Sequence, residues 1–184
     1  DTKCLRNSAS PLMKPIFLIG LPGSGKSTFG KSLATALDLN HVDLDQVIEA
    51  KANKSIAAIF EASGEAYFRE IERNTLQRLL EEPHAEIISC GGGTPCFYDN
   101  MSRMNAAGLT VFLDIPVATI VKRVAKNHDR PLLKKKNLEK TITQMRVERI
   151  QYYSQAQIVF GDPGNQAEQV LEIQAFLKIQ AQGK

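Results

Sequence analysis

Residues 20–28, Gly-Leu-Pro-Gly-Ser-Gly-Lys-Ser-Thr, have the spacing G-x-x-x-x-G-K-[S/T]. Glycines so placed let successive backbone N–H groups curl around phosphate oxygens, and a helix that follows adds the positive end of its dipole. Gly23, Ser24, Gly25 and Thr28 therefore read as the cradle of a nucleoside triphosphate. Lys26 reaches the β- and γ-phosphates, and the Ser27 hydroxyl is placed to ligate Mg²⁺. A plain glycine-rich turn is the bland alternative, and the flanks argue against it. The apolar run Ile16-Phe17-Leu18-Ile19 precedes the loop, and Phe29, Leu33, Ala36 and Leu37 recur behind it at helical spacing.

Four further groups could act on what such a loop holds. Asp43-Leu44-Asp45 follows a short apolar stretch. If strand geometry persists, the two carboxylates point the same way; if a helix begins there, they diverge and Asp43 becomes its N-cap. At a strand end beside a phosphate loop, one carboxylate can hold Mg²⁺ or its waters and another can orient or deprotonate an acceptor hydroxyl. Glu72 shares a helix face with Phe68, Ile71, Leu76 and Leu79, where an unpaired charge is costly. Arg69, three residues earlier, is within reach of it, although spacing alone also fits a weak surface pair. Gly91-Gly92-Gly93 is expensive in backbone entropy. It suits a ligand that approaches too closely for any side chain, or else a flexible loop. Finally, Arg130 lies in the basic run His128-Asp129-Arg130-Pro131-Leu132-Leu133-Lys134-Lys135-Lys136, the composition of a lid whose closure brings an arginine onto the transferring phosphate. The three lysines read as a solvated face.

The elements that position these groups alternate. Apolar runs at 16–19, 39–42, 86–90, 109–114 and 158–160 are read as strands. Helical patterns are expected behind the loop and at 46–52, 55–61, 65 to about 82 and 100–107, then from Pro116, at 138–156, and from 166 to about 180. That alternation predicts a three-layer α/β/α sandwich on a five-stranded parallel sheet. Residues 13–184 form one domain in this reading, with a lid at about 127–137. Residues 1–12 lack a signal-peptide pattern and are expected to be an expression remnant or a disordered extension.

Composition is ordinary for a globular protein: 184 residues, 43% hydrophobic, 23% charged, net charge +3. Phosphate and carboxylate ligands account for so slight a basic excess without nucleic acid. No apolar run approaches a membrane span. Cys4, Cys90 and Cys96 are an odd set without zinc spacing, and the three histidines are scattered. Reduced thiols in a cytoplasmic protein are expected, with Cys90 and Cys96 as small buried groups rather than nucleophiles. A monomer is the default.

In their joint order these motifs resemble the shikimate kinases, small P-loop kinases of the nucleoside-monophosphate-kinase type. The resemblance spans Lys14 to about Gln166. It rests on residues 20–28, Asp-Leu-Asp at 43–45, Gly-Glu-Ala-Tyr-Phe-Arg-Glu-Ile-Glu at 64–72, Gly-Gly-Gly at 91–93, Arg-Pro-Leu-Leu at 130–133 and Glu-Arg-x-x-x-Tyr at 148–153. It implies a sheet order of 2-3-1-4-5 and ATP-dependent phosphorylation of the 3-hydroxyl of shikimate, a step toward chorismate and the aromatic amino acids. It also implies roles. Ser27 ligates Mg²⁺, with Asp43 acting through the metal's water shell. Asp45 contacts substrate hydroxyls and serves as general base. Arg69 and Arg149 grip the substrate carboxylate, Glu72 orders the site, and Gly92 with its neighbours Gly91 and Gly93 meets the ring. Arg130 is the lid arginine and Arg123 packs on adenine. The turn after the fifth strand completes the adenine pocket through Pro163, Asn165 or Gln166, with Asn165 taken as the candidate. Two competing expectations are a small-molecule kinase for gluconate or a nucleoside monophosphate, and a regulatory module that hydrolyses nucleotide for a partner. The second leaves the two arginines and the lid without a substrate.

Overall fold

Strands buried on both faces need continuous apolar runs, and the middle of this sheet is made of them. The computed structural model describes residues 14–81, 86–125, 137–161 and 166–182. Strands β1 (Ile16–Ile19), β3 (Glu86–Ser89) and β4 (Leu109–Leu113) occupy its centre, and every residue of β1 and β4 is buried. Strands β2 (Asn40–Asp43) and β5 (Ile158–Phe160) form the edges, where exposed and half-buried residues appear. The order is β2-β3-β1-β4-β5 and all pairs are parallel, as the resemblance implies.

The sense of the connections switches at β1. The connection through α1 (Lys26–Leu37) carries the chain to one side, and the one through α4 (Asn100–Ala107) carries it to the other. A crevice opens at such a switch point, outside the carboxyl ends of the strands. Register then decides what faces it. Leu18 pairs with Ser89, and Ser89 with Asp43, so the phosphate loop, the triple glycine and the paired aspartates all leave the sheet at one edge.

Local chemistry sets the remaining boundaries. Helix α2 (Leu44–Ala52) starts two residues earlier than expected because Asp43 caps it. Helix α3 (Ile56–Glu81) joins two segments expected as separate helices, with a break at Gly64, φ 78° and ψ 174°, a conformation that only glycine adopts without strain. A 3₁₀ turn at Thr94–Cys96, unannounced by periodicity, follows the triple glycine and contains Pro95. Helix α5 (Val117–Ala125) begins just after Pro116. Helix α6 (Leu138–Tyr153) ends three residues before the expected 156, and α7 (Gln166–Gln182) runs slightly past 180. Residues 1–12, Arg130 with almost all of the expected lid, and Pro163 and Asn165 lie outside the described residues.

Two aromatic pairs lock helices onto the sheet. Phe29 of α1 meets Phe160 edge-on with ring centroids 6.1 Å apart, and Tyr153 of α6 packs on Phe112 at 5.0 Å. An ion pair between Asp114, just past β4, and Arg146 fixes α6 further. Arg146, Arg149 and Tyr153 are spaced i, i+3 and i+7, so anchoring the first and last aims the middle one at the crevice.

Candidate active site

The phosphate loop is built around positive-φ glycines. Gly25, at φ 96°, is the residue before α1 and offers no side-chain cap, so no capping side chain stands between a ligand and the start of the helix. A Cβ at Gly23 would lie 2.7 Å from Val124 Cγ2 and 3.1 Å from Ile120 Cγ2, so the loop packs directly on α5. Lys26 Nζ donates to the carbonyls of Gly20 at 2.9 Å and Leu21 at 3.0 Å, folding back over the loop. Arg123 Nη1 donates to the Ser24 carbonyl at 3.0 Å. Beside it opens a cleft of about 270 Å³ whose walls include Ser24, Gly25, Thr28, Phe29, Arg123 and Gln169.

Ser27 and Asp43 come from different elements, and the Ser27 hydroxyl donates to Asp43 Oδ2 at 2.6 Å. The other oxygen, Oδ1, caps α2 by accepting from the N–H groups of Asp45 at 3.1 Å and Gln46 at 3.4 Å. Asp43 is thus the N-cap of α2 and, through its other oxygen, a hydrogen-bond partner of Ser27 in the phosphate loop. Asp45 diverges into the first turn of α2, yet remains in the crevice. Burial, then the charges of Asp43 and Glu72, push its carboxyl up from 3.8 to about 6, with Lys26 opposing and Glu49 adding to the rise.

The triple glycine makes room. A Cβ at Gly91 would sit 2.8 Å from Asp45 Oδ1 and 2.9 Å from Glu72 Oε1. At Gly92 it would meet Pro22 Cδ at 2.8 Å and Arg149 Nη1 at 3.1 Å, and at Gly93 it would overlap the Arg69 guanidinium at 2.5–2.7 Å. The protein's own side chains, not a ligand, are what crowd these three glycines. Gly92 lies between the phosphate loop and Arg149.

Arg69 and Glu72 are not a surface pair: they are 8% and 1% exposed. Arg69 Nη1 donates to Glu72 Oε2 at 2.8 Å, and the Thr94 hydroxyl donates to Glu72 Oε1 at 2.5 Å. Arg69 Cζ lies 4.1 Å from the ring centre of Phe97 and 5.0 Å from that of Phe68, and its Nε and Nη2 both donate to Glu65. The carboxylate on an apolar helix face is therefore satisfied by a guanidinium and a hydroxyl, as a buried charge must be. Tyr153 donates its hydroxyl to the Gly92 carbonyl. Burial raises the pKa of this phenol, against the pull of Arg149.

Neither described cysteine is set up as a nucleophile. Cys90 is buried with its Sγ 3.6 Å from Met104 Sδ, and burial pushes its thiol up. Cys96 is half-buried and raised to about 11, chiefly by burial, with Arg149 and Arg69 opposing. His41 shares a 2.9 Å hydrogen bond with Ser89 beneath the crevice, and burial lowers its pKa. Among the described residues, no group of three or more His, Cys, Asp and Glu side chains could hold a metal ion by itself. Nor is any helix among them long and apolar enough to cross a membrane.

The structure thus gathers Gly23, Ser24, Gly25, Lys26, Ser27, Thr28 and Arg123 on one side of the crevice and Arg69, Glu72 and Arg149 on the other. Asp43, Asp45 and residues 91–93 lie between. Glu65 and Tyr153, present in the quoted motifs but given no role there, also line it, as do Thr94, Phe97 and Gln169, which the sequence did not single out. For Glu65 a signal exists in its i,i+4 spacing to Arg69. For Phe97, Thr94 and Gln169 none does, because only the chain's path after β3 and β5 brings them in.

Comparison with known proteins points to one family. The family model described as shikimate kinase matches residues 22–178. A curated shikimate kinase of Parabacteroides distasonis is 43% identical over 152 residues, covering 80% of this chain and 87% of its own length. The crystal structure of shikimate kinase from Bacteroides thetaiotaomicron superposes with a TM-score of 0.84 at 39% identity, over 90% of this chain and 99% of that one. The Acinetobacter baumannii shikimate kinase, solved in complex with shikimate, gives 0.83 at 29% identity over 91% and 94%. With family model, sequence relatives and fold in agreement over most of its length, the chain belongs to the shikimate kinase family.

Proposed function

We propose that the crevice works as two facing half-sites in the ATP-dependent phosphorylation of the 3-hydroxyl of shikimate, the step toward chorismate. The observation that carries this reading is the junction at Gly92, where a Cβ would meet both Pro22 of the phosphate loop and the Arg149 guanidinium. A phosphoryl donor on one side of it and a small anionic acceptor on the other would meet at Asp45.

The backbone of residues 23–28 and Lys26 hold the ATP phosphates, and Arg123 packs at the nucleoside end. Arg69 and Arg149 take the acceptor's carboxylate, since paired guanidinium forks match its planar geometry as lysine does not. Glu72 orders Arg69, and the glycines at 91–93 admit the ring. Asp45 accepts the proton from the 3-hydroxyl. That oxygen bonds to the γ-phosphorus, the bond from γ-phosphorus to the β,γ-bridging oxygen breaks, and ADP leaves with the electron pair. Arg130 and Asn165 complete the proposal from sequence, as the lid arginine and the adenine-edge contact.

Ser27 and Asp43 suit Mg²⁺. They present hard oxygen donors 2.6 Å apart at the mouth of the phosphate loop. An ion that keeps several waters and shares phosphate oxygens needs few protein ligands. When bound, Mg²⁺ neutralises charge on the phosphates. Lys26 and Arg130 carry the remaining neutralisation. A guanidinium clamp is worth on the order of 10³–10⁵ in rate, against about 10²–10⁴ for a general base, so the cations outrank Asp45. A monomeric, cytoplasmic enzyme, drawing on cellular ATP, is part of the same proposal.

A coupled assay of ADP release tests the reading. Release should depend on shikimate, and Arg149→Ala should raise the shikimate KM by about 10- to 100-fold, the worth of a hydrogen-bonded charge, while sparing the ATP KM. Release that ignores shikimate but responds to gluconate or a nucleoside monophosphate would overturn it. Release that ignores every acceptor would favour a regulatory module.

A further inference from the structure

If Arg69 receives the acceptor's carboxylate, its best edge is already taken. A guanidinium offers two parallel N–H groups along Nε and Nη2, and here both donate to a single oxygen of Glu65, at 3.2 and 3.0 Å. A substrate carboxylate would seek the same fork. Arg69 cannot turn to present a fresh one. Its faces are packed against Phe97 and Phe68, the backbone of Gly93 crowds it, and its Nη1 is held by Glu72.

The two glutamates on Arg69 are unequal. Glu72 is 1% exposed and also accepts from Thr94 at 2.5 Å, so its departure would strand a buried charge. The Glu65 side chain is 56% exposed. It directly follows the break at Gly64, and a Cβ at Gly64 would meet nothing within 4 Å. Water receives its carboxylate at little cost. Charge points the same way. Arg69 is already paired with two carboxylates, Glu65 and Glu72, and an incoming carboxylate would make a third anion on one guanidinium. Releasing Glu65 restores the balance.

We infer that Glu65 is a resident stand-in for the acceptor's carboxylate, displaced when an acidic acceptor binds, and therefore a specificity-determining residue. An acceptor without a carboxylate cannot replace it on Arg69 and leaves it in place. The inference rests on the assignment of Arg69 to the substrate carboxylate.

The test is calorimetric binding of shikimate, and of its analogue with hydroxymethyl in place of the carboxylate, to the full chain and to E65Q, E65A and R69A. Both Glu65 variants should bind shikimate about two- to fivefold more tightly, the worth of an exposed contact that no longer has to be broken. Binding of the neutral analogue should be unchanged, so the preference for acid over alcohol widens. ATP affinity, read separately, should not move. Weaker shikimate binding in E65Q and E65A would overturn the inference, because Glu65 would then hold Arg69 in place. Equal shifts for the two acceptors, or no shift, would also overturn it. R69A separates the two levels: it should narrow the preference for the acid, with Arg149 keeping the remainder. If it does and the Glu65 variants fail, the inference alone falls. If the preference in R69A is as wide as in the parent, the assignment of Arg69 falls and takes the inference with it.

Discussion

Tyr153 of α6 donates its hydroxyl to the carbonyl of Gly92, 61 positions away in sequence, and so ties the helix that carries Arg149 to the backbone of the glycine loop. Its ring is wholly buried against Phe112. Neither the loop nor the helix can shift without breaking this bond. Tyr153→Phe keeps the packing and removes the tie. We expect the shikimate KM to rise about three- to tenfold, the size of one neutral hydrogen bond, with the ATP KM unchanged. Steady-state kinetics in both substrates check this; equal losses in both would mean a general loosening instead.

Asp45 is held at a cost to the fold. Its pKa is raised from 3.8 to about 6, so the folded state binds its proton more tightly than the unfolded chain does. The corresponding stability is present in full below about pH 4 and is lost as pH rises through about 6. Asp45→Asn, neutral throughout, should raise Tm at pH 7 relative to the parent and show no such advantage near pH 4. The same variant should lower kcat by about 10²–10⁴. In the parent, kcat/KM should fall below about pH 6 as Asp45, the proposed base, is protonated. Thermal unfolding and pH–rate profiles provide the readouts. A variant less stable at pH 7 would contradict this account.

Ser27→Ala removes one oxygen from the pair proposed to hold Mg²⁺ but leaves Asp43 Oδ1 capping α2. The Mg²⁺ concentration for half-maximal activity should therefore rise by about 10- to 100-fold. Tm should change by only a few degrees. Activity titrated against Mg²⁺ is the measurement, and an unchanged Mg²⁺ requirement would remove Ser27 from the metal.

Gly92→Ala is a steric probe of the junction. The added methyl would lie 2.8 Å from Pro22 Cδ and 3.1 Å from Arg149 Nη1, and a proline ring packed in the phosphate loop cannot swing aside. Displacement of the order of 1 Å costs about 10²-fold in a positioned reaction. Loss of kcat/KM on that scale, with the fold retained by circular dichroism, is the expected outcome; near-parental activity would mean that Pro22 yields.

Much of the candidate site is legible in the sequence alone. The phosphate loop is a local device: glycines, lysine and serine act within nine residues, and their flanks declare a strand and a helix. The strand–helix alternation likewise follows from short-range apolar patterning. Boundaries were weakest where a side chain from the site intervened, as where Asp43 pulled the start of α2 forward, or where one glycine let two helical segments read as separate elements.

The sequence by itself determined that a triphosphate loop opens an α/β domain, because those features depend on neighbours a few residues apart. It did not decide whether Arg69 and Glu72 were a surface pair or a buried one, since spacing is the same in both cases. Nor did it separate the two readings of Asp43, or say why three glycines stand in a row. Those were settled by register and packing. Parallel pairing of β2, β3 and β1 brings residues 20–28, 43–45 and 91–93 to one edge. Helix α6, anchored through Asp114 and Phe112, then closes Tyr153 and Arg149 over them. Contacts between residues tens of positions apart carry no local signature, so only the assembled fold reveals that one crevice has two halves.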